Sequence, residues 1–87
     1  MGFTWGKSAD RHEIDPEDGI HAMLNAIHEE TLEPRGPNPI PPKLYIGPPR
    51  QMGGPLLEVM VWVEEPDTVY VFHAMEARQK ILDRMKK

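Results

Sequence analysis

Two apolar runs separated by a short polar stretch constrain this chain more than any other feature of its sequence. The run "PLLEVMVWVEE" at 55–65 alternates with a period of two, which is typical of a β-strand with two distinct faces. One face carries Leu57, Val59, Val61 and Val63, and the other carries Leu56, Glu58, Met60, Trp62 and Glu64. The run "TVYVFHA" at 68–74 is apolar on both faces, as in a central strand. "EEPDT" between them has the Pro and Asp of a turn, so the pattern predicts an antiparallel pair.

A helix is predicted ahead of these strands. Asp15 is positioned as its N-cap, and Pro16 has the preset φ that suits the first helical position. One buried helical stripe follows, with apolar residues at Ile20, Met23, Leu24 and Ile27. The pattern predicts a helix over about 16–28. The "FTW" before it, at 3–5, fits either a short edge strand or a loose chain end.

The helix is joined to the strands by a proline-rich connector. Residues 34–42, "PRGPNPIPP", contain five prolines, which fix φ, remove backbone donors and favour extended geometry. The segment is therefore predicted to be a semi-rigid spacer, with a PxxP ligand for an SH3-type domain as the alternative. "KLYIG" at 43–47 then reads as a further strand, ended by Gly47 and two prolines.

The period changes again near the end of the chain. From Met75 onward an apolar stripe at helical spacing predicts a final helix: Ala74, Ala77, Ile81, Leu82 and Met85. The fold class expected is therefore α+β, as one domain over 1–87. Its order is an N-terminal helix, the connector 34–42, a three-stranded antiparallel meander and a C-terminal helix.

Composition excludes several functions. The formal net charge of -4 argues against bulk electrostatic binding of nucleic acid, although residues 1–42 hold three basic and eight acidic side chains and residues 43–87 hold seven and six. The 87 residues include no cysteine, and no apolar run approaches membrane-spanning length, so we expect a soluble cytoplasmic protein without membrane contact. The six aromatic residues look too scattered in sequence for a stacking platform.

Four residues are the candidates for chemistry. His73 lies where the last strand meets the last helix, with Arg78 close behind it and Arg50 in the preceding loop "GPPRQMGGP". An imidazole can transfer protons near neutral pH, and guanidinium groups can bind phosphate. General acid/base cleavage of RNA uses both kinds of group. His12 is a candidate second acid/base. The alternative for His73 is a partly buried ring beside Val69 and Val71, whose strand parity it shares.

Metal and cofactor chemistry are not expected. The spacing of His21 and His28 puts them on one face of the predicted helix, but Asn25 between them is a poor ligand and no "HExxH" occurs. The chain contains no phosphate-binding P-loop, no "GxGxxG" and no convincing Ser or Cys nucleophile. We therefore expect no cofactor and no bound metal.

Taken in order, these pieces resemble the BrnT-like branch of the RelE-type toxins of bacterial toxin-antitoxin systems. The resemblance covers nearly the whole chain: "FTW", "KSADRHEIDPEDGIHAMLNA", "LYIGPPRQMGGPLLEVMVWVEE" with Gly47 in its usual place, and "VYVFHAMEAR". It is strongest to uncharacterised small proteins of actinobacteria and their phages. The acidic balance, the connector 34–42 and "HAMEAR" in place of a Ser-Ala-Arg type motif depart from the family pattern.

The resemblance implies a ribonuclease that cleaves messenger RNA and is neutralised by a cognate antitoxin, in a homo- or hetero-oligomer. Residue by residue, Arg50 matches the basic residue of the strand-connecting loop and His73 takes the place of a small polar residue. Arg78 falls near a basic position of the last helix. The alternative is a non-catalytic interaction or regulatory module of phage or host on the same scaffold.

Overall fold

The protein is built on one five-stranded mixed sheet. The computed structural model describes residues 2–34, 36–64 and 68–86. The strands are β1 (Gly2–Trp5), β2 (His28–Thr31), β3 (Lys43–Gly47), β4 (Leu57–Glu64) and β5 (Thr68–Glu76), and the α-helices are α1 (Pro16–Leu24) and α2 (Gln79–Leu82). Two 3-10 helices cover Lys7–His12 and Asp83–Lys86. The predicted α+β class is confirmed.

The strand order is β1-β5-β4-β3-β2, with β1 parallel to β5 and every other pair antiparallel. The predicted meander is present as β3, β4 and β5, and of the two strands that flank it β1 was one of the alternatives for "FTW", whereas β2 was not predicted. The "FTW" segment is a strand, since Phe3 pairs with Val69 and Trp5 with Val71. The turn predicted at "EEPDT" falls largely on residues 65–67, which lie outside the described residues.

Helix α1 begins as predicted and ends early. The Asp15 side chain accepts a hydrogen bond from the backbone N–H of Glu17, and Pro16 opens the helix. The predicted end at residue 28 was wrong, because Asn25 closes the helix by donating to the carbonyl of His21. His28 then enters β2, where pairing with β3 satisfies its backbone groups, so His21 and His28 do not share a helix face.

The sheet buries apolar side chains on both faces. On the face that α1 covers, here the α1 face, Val59, Val61 and Val71 are fully buried against Ala22 of the helix. On the other, the α2 face, Leu44, Ile46 and Met60 pack against Ile81 of α2. The period of two predicted for β4 is therefore correct.

A β-bulge in β5 changes which face His73 occupies. Met60 pairs with His73 and the next residue, Val61, pairs with Val71, so Phe72 is an extra residue on β5. Because one inserted residue reverses the alternation, His73 lies on the α2 face with Met60. The prediction that His73 shares a face with Val71 was wrong for this reason.

The final helix starts later than its apolar stripe predicts. Strand β5 continues to Glu76, and the N–H of Ala77 still donates to the carbonyl of Leu56. Arg78 is the N-cap residue, in extended backbone geometry, and α2 follows as a four-residue helix. The pairing with β4 outweighs the helical preference of the sequence as far as Ala77.

The connector has no helix or strand in its described part. The backbone N–H of Leu32 donates to the carbonyl of Pro42 at 2.8 Å, which brings its two ends together beside β2 and β3. Pro42 is fully buried, and Gly36 has a positive φ of 59°. Within residues 2–34, 36–64 and 68–86, no helix has both the length and the apolar character needed to cross a lipid bilayer.

Glu30 fastens the end of the chain to the edge of the sheet. Arg84 donates to both carboxylate oxygens of Glu30 from Nε and Nη2, at 2.8 and 2.5 Å, and His28 contacts the same carboxylate at 3.0 Å. The hydrogen bonds from Arg84, and then that from His28, lower the pKa of Glu30 to about 2. A carboxyl with a lowered pKa stabilises the fold above its ordinary pKa and loses this effect in acid.

We therefore expect Glu30→Gln to lower the free energy of unfolding by about 1 kcal/mol at pH 7, since the pair is partly exposed. The deficit should shrink as the pH falls from about 4.5 towards 2, because in this range the Glu30 carboxyl is protonated in the unfolded wild-type chain while it is still ionised in the folded one. Urea denaturation at pH 7 and pH 3 measures this difference. Glu33→Gln, at an exposed position, is the control, and an equal deficit for Glu30→Gln at both pH values would contradict the pKa assignment.

Candidate functional site

A buried carboxylate organises the end of β5. Glu58 has no exposed surface, although it is an acidic residue in the middle of a sheet. Its Oε2 accepts from His73 Nε2 at 2.8 Å and from Arg78 Nη2 at 2.8 Å. Its Oε1 accepts from the backbone N–H and the Nε of Arg78, at 2.9 and 3.0 Å. Four donors therefore satisfy one buried charge, which is the condition for burying it.

The register of the sheet explains how these groups meet. Glu58 pairs with Met75 and Met60 pairs with His73, so Glu58 and His73 are diagonal neighbours on the α2 face. Arg78 lies just before α2 with an extended backbone, and its side chain and backbone N–H both point towards Glu58 on β4. The bulge is essential to this arrangement, because without it His73 would lie on the α1 face.

The protonation states follow from these contacts. Burial raises the pKa of the Glu58 carboxyl, but the hydrogen bonds from Arg78 and His73 outweigh it and hold that pKa below its ordinary value. Burial lowers the pKa of His73, and the bond to Glu58 offsets this in part, so the ring is neutral at pH 7. Because a carboxylate can only accept, the single proton of the ring sits on Nε2 and leaves the Nδ1 lone pair free.

His73 and Arg78 open onto a groove of about 640 Å³ on the α2 face, at the β1 side of the sheet. Its walls come from the first 3-10 helix, β4, β5 and the connector: Ser8, Arg11, His12, Gly36, Trp62, Phe72, His73, Met75 and Arg78. The rings of His12 and His73 meet edge to face, with centroids 5.9 Å apart and planes at 74°. Two imidazoles and two guanidinium groups therefore share one groove.

The parallel pairing of β1 with β5 positions His12 in the groove. After β1, the N–H of Gly6 donates to the carbonyl of Val71 at 2.8 Å, so the chain continues along the edge of β5. Ser8 Oγ then donates to the carbonyl of Phe72 at 2.5 Å, at the bulge itself. Ala9 is fully buried and anchors the 3-10 helix that ends with His12.

Arg50 is held elsewhere. It donates from Nη2 to Asp15, from Nη1 to Glu17 and from Nε to Asp18, all at the N-terminus of α1, and it does not line the groove. The hydrogen bonds from Arg50 lower the pKa of Asp18. Three of the four predicted site residues, His12, His73 and Arg78, are thus brought together, and Arg50 is not among them.

Sequence reasoning missed three parts of the site. Glu58 was placed on the correct face of β4, but a single glutamate in an apolar strand gave no sign of its partners. Arg11 lines the groove, and no hydrogen bond ties it to the residues the structure describes. The aromatic residues are not scattered in space: Trp62 stacks on Phe72 with centroids 4.1 Å apart, and lies 5.9 Å from Tyr70 at a 13° angle.

The fold and the groove define a small α+β domain with a polar groove at one edge of a five-stranded mixed sheet. No protein-family model matches the chain, and no curated protein matches it in sequence.

Proposed function

We propose that the protein is a metal-independent endoribonuclease, a cytoplasmic toxin of the BrnT-like, RelE-type class that a cognate antitoxin neutralises. One observation carries the proposal: two histidines, one of them oriented by a buried carboxylate, face each other in a groove with two arginines. General acid/base cleavage of RNA requires this set of groups and no metal ion.

The reaction would start at His73. Its Nδ1 takes the proton of a ribose 2′-hydroxyl, and the resulting oxygen attacks the neighbouring phosphorus. A 2′,3′-cyclic phosphate forms as the bond to the 5′-oxygen breaks, and His12 supplies the proton that this leaving oxygen needs. Arg11 and Arg78 stabilise the negative charge that develops on the phosphate oxygens.

Glu58 would act on His73 as the buried carboxylate of a catalytic triad acts on its histidine. It fixes the tautomer and orientation of the ring and stabilises the imidazolium that forms when Nδ1 takes a proton. Glu58 also engages Nε and Nη2 of Arg78, so the contact with phosphate falls to Nη1 of that guanidinium group. Glu58 is thus a positioning residue and does not touch the substrate.

The test is cleavage of a single-stranded RNA in the presence of EDTA. We expect cyclic-phosphate ends from the wild type, and a rate lower by about 10²- to 10⁴-fold for His73→Ala and for His12→Ala. Arg50→Ala is the matched control, because Arg50 lies outside the groove, and it should cleave like the wild type. Induced expression of the wild type should arrest growth, and His73→Ala should relieve the arrest while remaining folded.

Two results would end the ribonuclease assignment. One is undiminished cleavage by folded His73→Ala and His12→Ala proteins. The other is cleavage of an oligonucleotide with 2′-deoxyribose at every position, because that substrate lacks the attacking hydroxyl group.

A protein-interaction module is the second candidate, and an apolar patch favours it. Phe3, Met23, Tyr45, Val63 and Val69 line a shallow cavity of about 290 Å³ on the α1 face, with Leu24 at its rim. Leu24 is 71% exposed, which is unusual for a large apolar side chain beside such a cavity. If the wild type cleaves no RNA and its expression is harmless, this reading replaces the first. If the protein does cleave RNA, the patch is where we propose that the antitoxin binds.

A further inference from the structure

We propose that Trp62 and Phe72 form a nucleobase subsite in the groove, where one unpaired base of the substrate stacks beside the phosphate to be cleaved. This inference rests on the proposed ribonuclease function and names the part of RNA that the site recognises. It implies that the protein acts on single-stranded RNA, since a base inside a double helix has both of its flat faces covered.

The bulge in β5 places the subsite next to the acid/base pair. In a regular strand, Phe72 and His73 would face opposite sides of the sheet. In the bulge, Phe72 packs with the residues of the α2 face and lines the groove together with His73. Consecutive residues thus offer an aromatic surface and an imidazole to the same ligand, as a base and its neighbouring phosphate require.

Trp62 supports the ring of Phe72 in the groove and carries an indole N–H donor. It stacks on Phe72, at 4.1 Å between centroids and 25° between planes, so each ring covers one face of the other and a base would stack on the outer face of Phe72. Its indole Nε1 is buried and has no hydrogen-bond partner among the described residues. A buried donor without a partner costs about 1–3 kcal/mol, and an oxygen or ring nitrogen of a base would satisfy it only where the side chains that cover Nε1 move aside.

Charge and size agree with a nucleotide as the ligand. None of the described residues that line the groove is acidic, although the whole chain has a net charge of -4. Arg11, His12 and Arg78 line the same groove as Trp62 and Phe72. The volume of about 640 Å³ is in the range of small-ligand sites.

The experiment uses the fluorescence of Trp62 in the full-length chain. The sequence has two tryptophans, so a Trp5→Phe background leaves Trp62 as the single reporter. The probes are the four ribonucleoside 3′-monophosphates, with ribose 5-phosphate as a probe that carries phosphate without a base. We expect at least one nucleotide to quench the emission, and ribose 5-phosphate to leave it unchanged over the same concentrations.

A pair of matched variants locates the base. Phe72→Leu should weaken nucleotide binding by about 5- to 150-fold, the range for loss of one aromatic stacking contact. Phe3→Leu makes the same change on the α1 face and should bind nucleotides like its parent. Because emission in Phe72→Leu can change for local reasons, its binding is measured by calorimetry, and circular dichroism checks that both variants are folded.

The outcomes separate this inference from the ribonuclease proposal. Equal binding of nucleotides and ribose 5-phosphate, or undiminished nucleotide binding by folded Phe72→Leu, overturns the subsite even if RNA is cleaved. Base-dependent binding that Phe72→Leu weakens supports the subsite even if no RNA is cleaved, and the ribonuclease proposal then fails alone. A total absence of binding by any nucleotide overturns the subsite as well.

Discussion

Replacing Gly47 by alanine is expected to lower the free energy of unfolding by about 3 kcal/mol or more, a severe effect for one added methyl group. An alanine Cβ at this position would lie 2.1 Å from the carbonyl oxygen and 3.1 Å from the Cα of Ala22. Both are backbone atoms of α1, which cannot rotate away as a side chain does. The helix would have to move off β3, opening the buried cluster that includes Val59.

The measurement is thermal unfolding followed by circular dichroism. A loss of about 3 kcal/mol corresponds to a fall in Tm of roughly 12–24 °C for a chain of this size. Gly2→Ala is the matched control, because a Cβ at Gly2 meets no atom within 4 Å, and its Tm should stay close to that of the wild type. A Gly47→Ala protein as stable as Gly2→Ala would show that α1 does not pack on β3 at this distance.

Replacing Arg78 by methionine is expected to produce the second large effect, on both stability and its dependence on pH. Methionine keeps much of the side-chain length, but Glu58 then loses the two guanidinium bonds and remains fully buried. Removing one partner of a buried ion pair costs about 3–5 kcal/mol. We expect the lower end, about 3 kcal/mol at pH 8, because His73 and the backbone N–H of residue 78 still donate to Glu58.

The pH dependence should have a definite sign. In the wild type the lowered pKa of Glu58 means that the folded state holds no extra proton on that carboxyl. Without the guanidinium group, the uncompensated negative charge of buried Glu58 favours uptake of a proton, on its own carboxyl or on the His73 imidazole bonded to it. The folded variant then binds more protons than the folded wild type, whereas the two unfolded chains bind protons alike, so the deficit relative to the wild type shrinks as the pH falls.

Urea denaturation at pH 8 and pH 5 tests this, with the deficit relative to the wild type smaller at pH 5. Arg84→Met is the matched control, because it breaks an Arg–Glu pair in which Glu30 is 26% exposed and can be solvated. That change should cost about 1 kcal/mol or less. Equal deficits for Arg78→Met and Arg84→Met at pH 8 would mean that Glu58 is not buried as an anion.

The sequence predicts those parts of the fold that rest on local chemistry or on long periodic patterns. The cap at Asp15 and the proline after it set the start of α1 correctly, and the alternation of β4 assigns Glu58 and Trp62 to one face. The edge strands were harder, because β2 is polar and only four residues long and carries no pattern. Its structure comes from pairing with β3, which is a contact distant in sequence.

The candidate site depends on two events that no local pattern reveals. One is the bulge, which moves His73 from the face its parity predicts to the face where Glu58 lies. The other is the choice of partners by Arg50, since three carboxylates at the start of α1 bind it although they are more than thirty residues away. From the sequence alone, a loop arginine could bind either a phosphate or an acidic helix terminus. Only the tertiary structure determines which of these lies within reach.

The bulge also makes this protein sensitive to the length of its last strand in a way that composition does not show. Strand β5 has one residue more than β4 over the same stretch of sheet, and that extra residue is Phe72. Loss of Phe72 would let the ladder pair evenly, with Val71 still opposite Val61 and His73 still opposite Met60 on the α2 face. The hydrophobic content would hardly change and His73 would stay on the face of Glu58, yet Trp62 would lose its stacking partner, so this deletion separates the aromatic part of the groove from its acid/base pair.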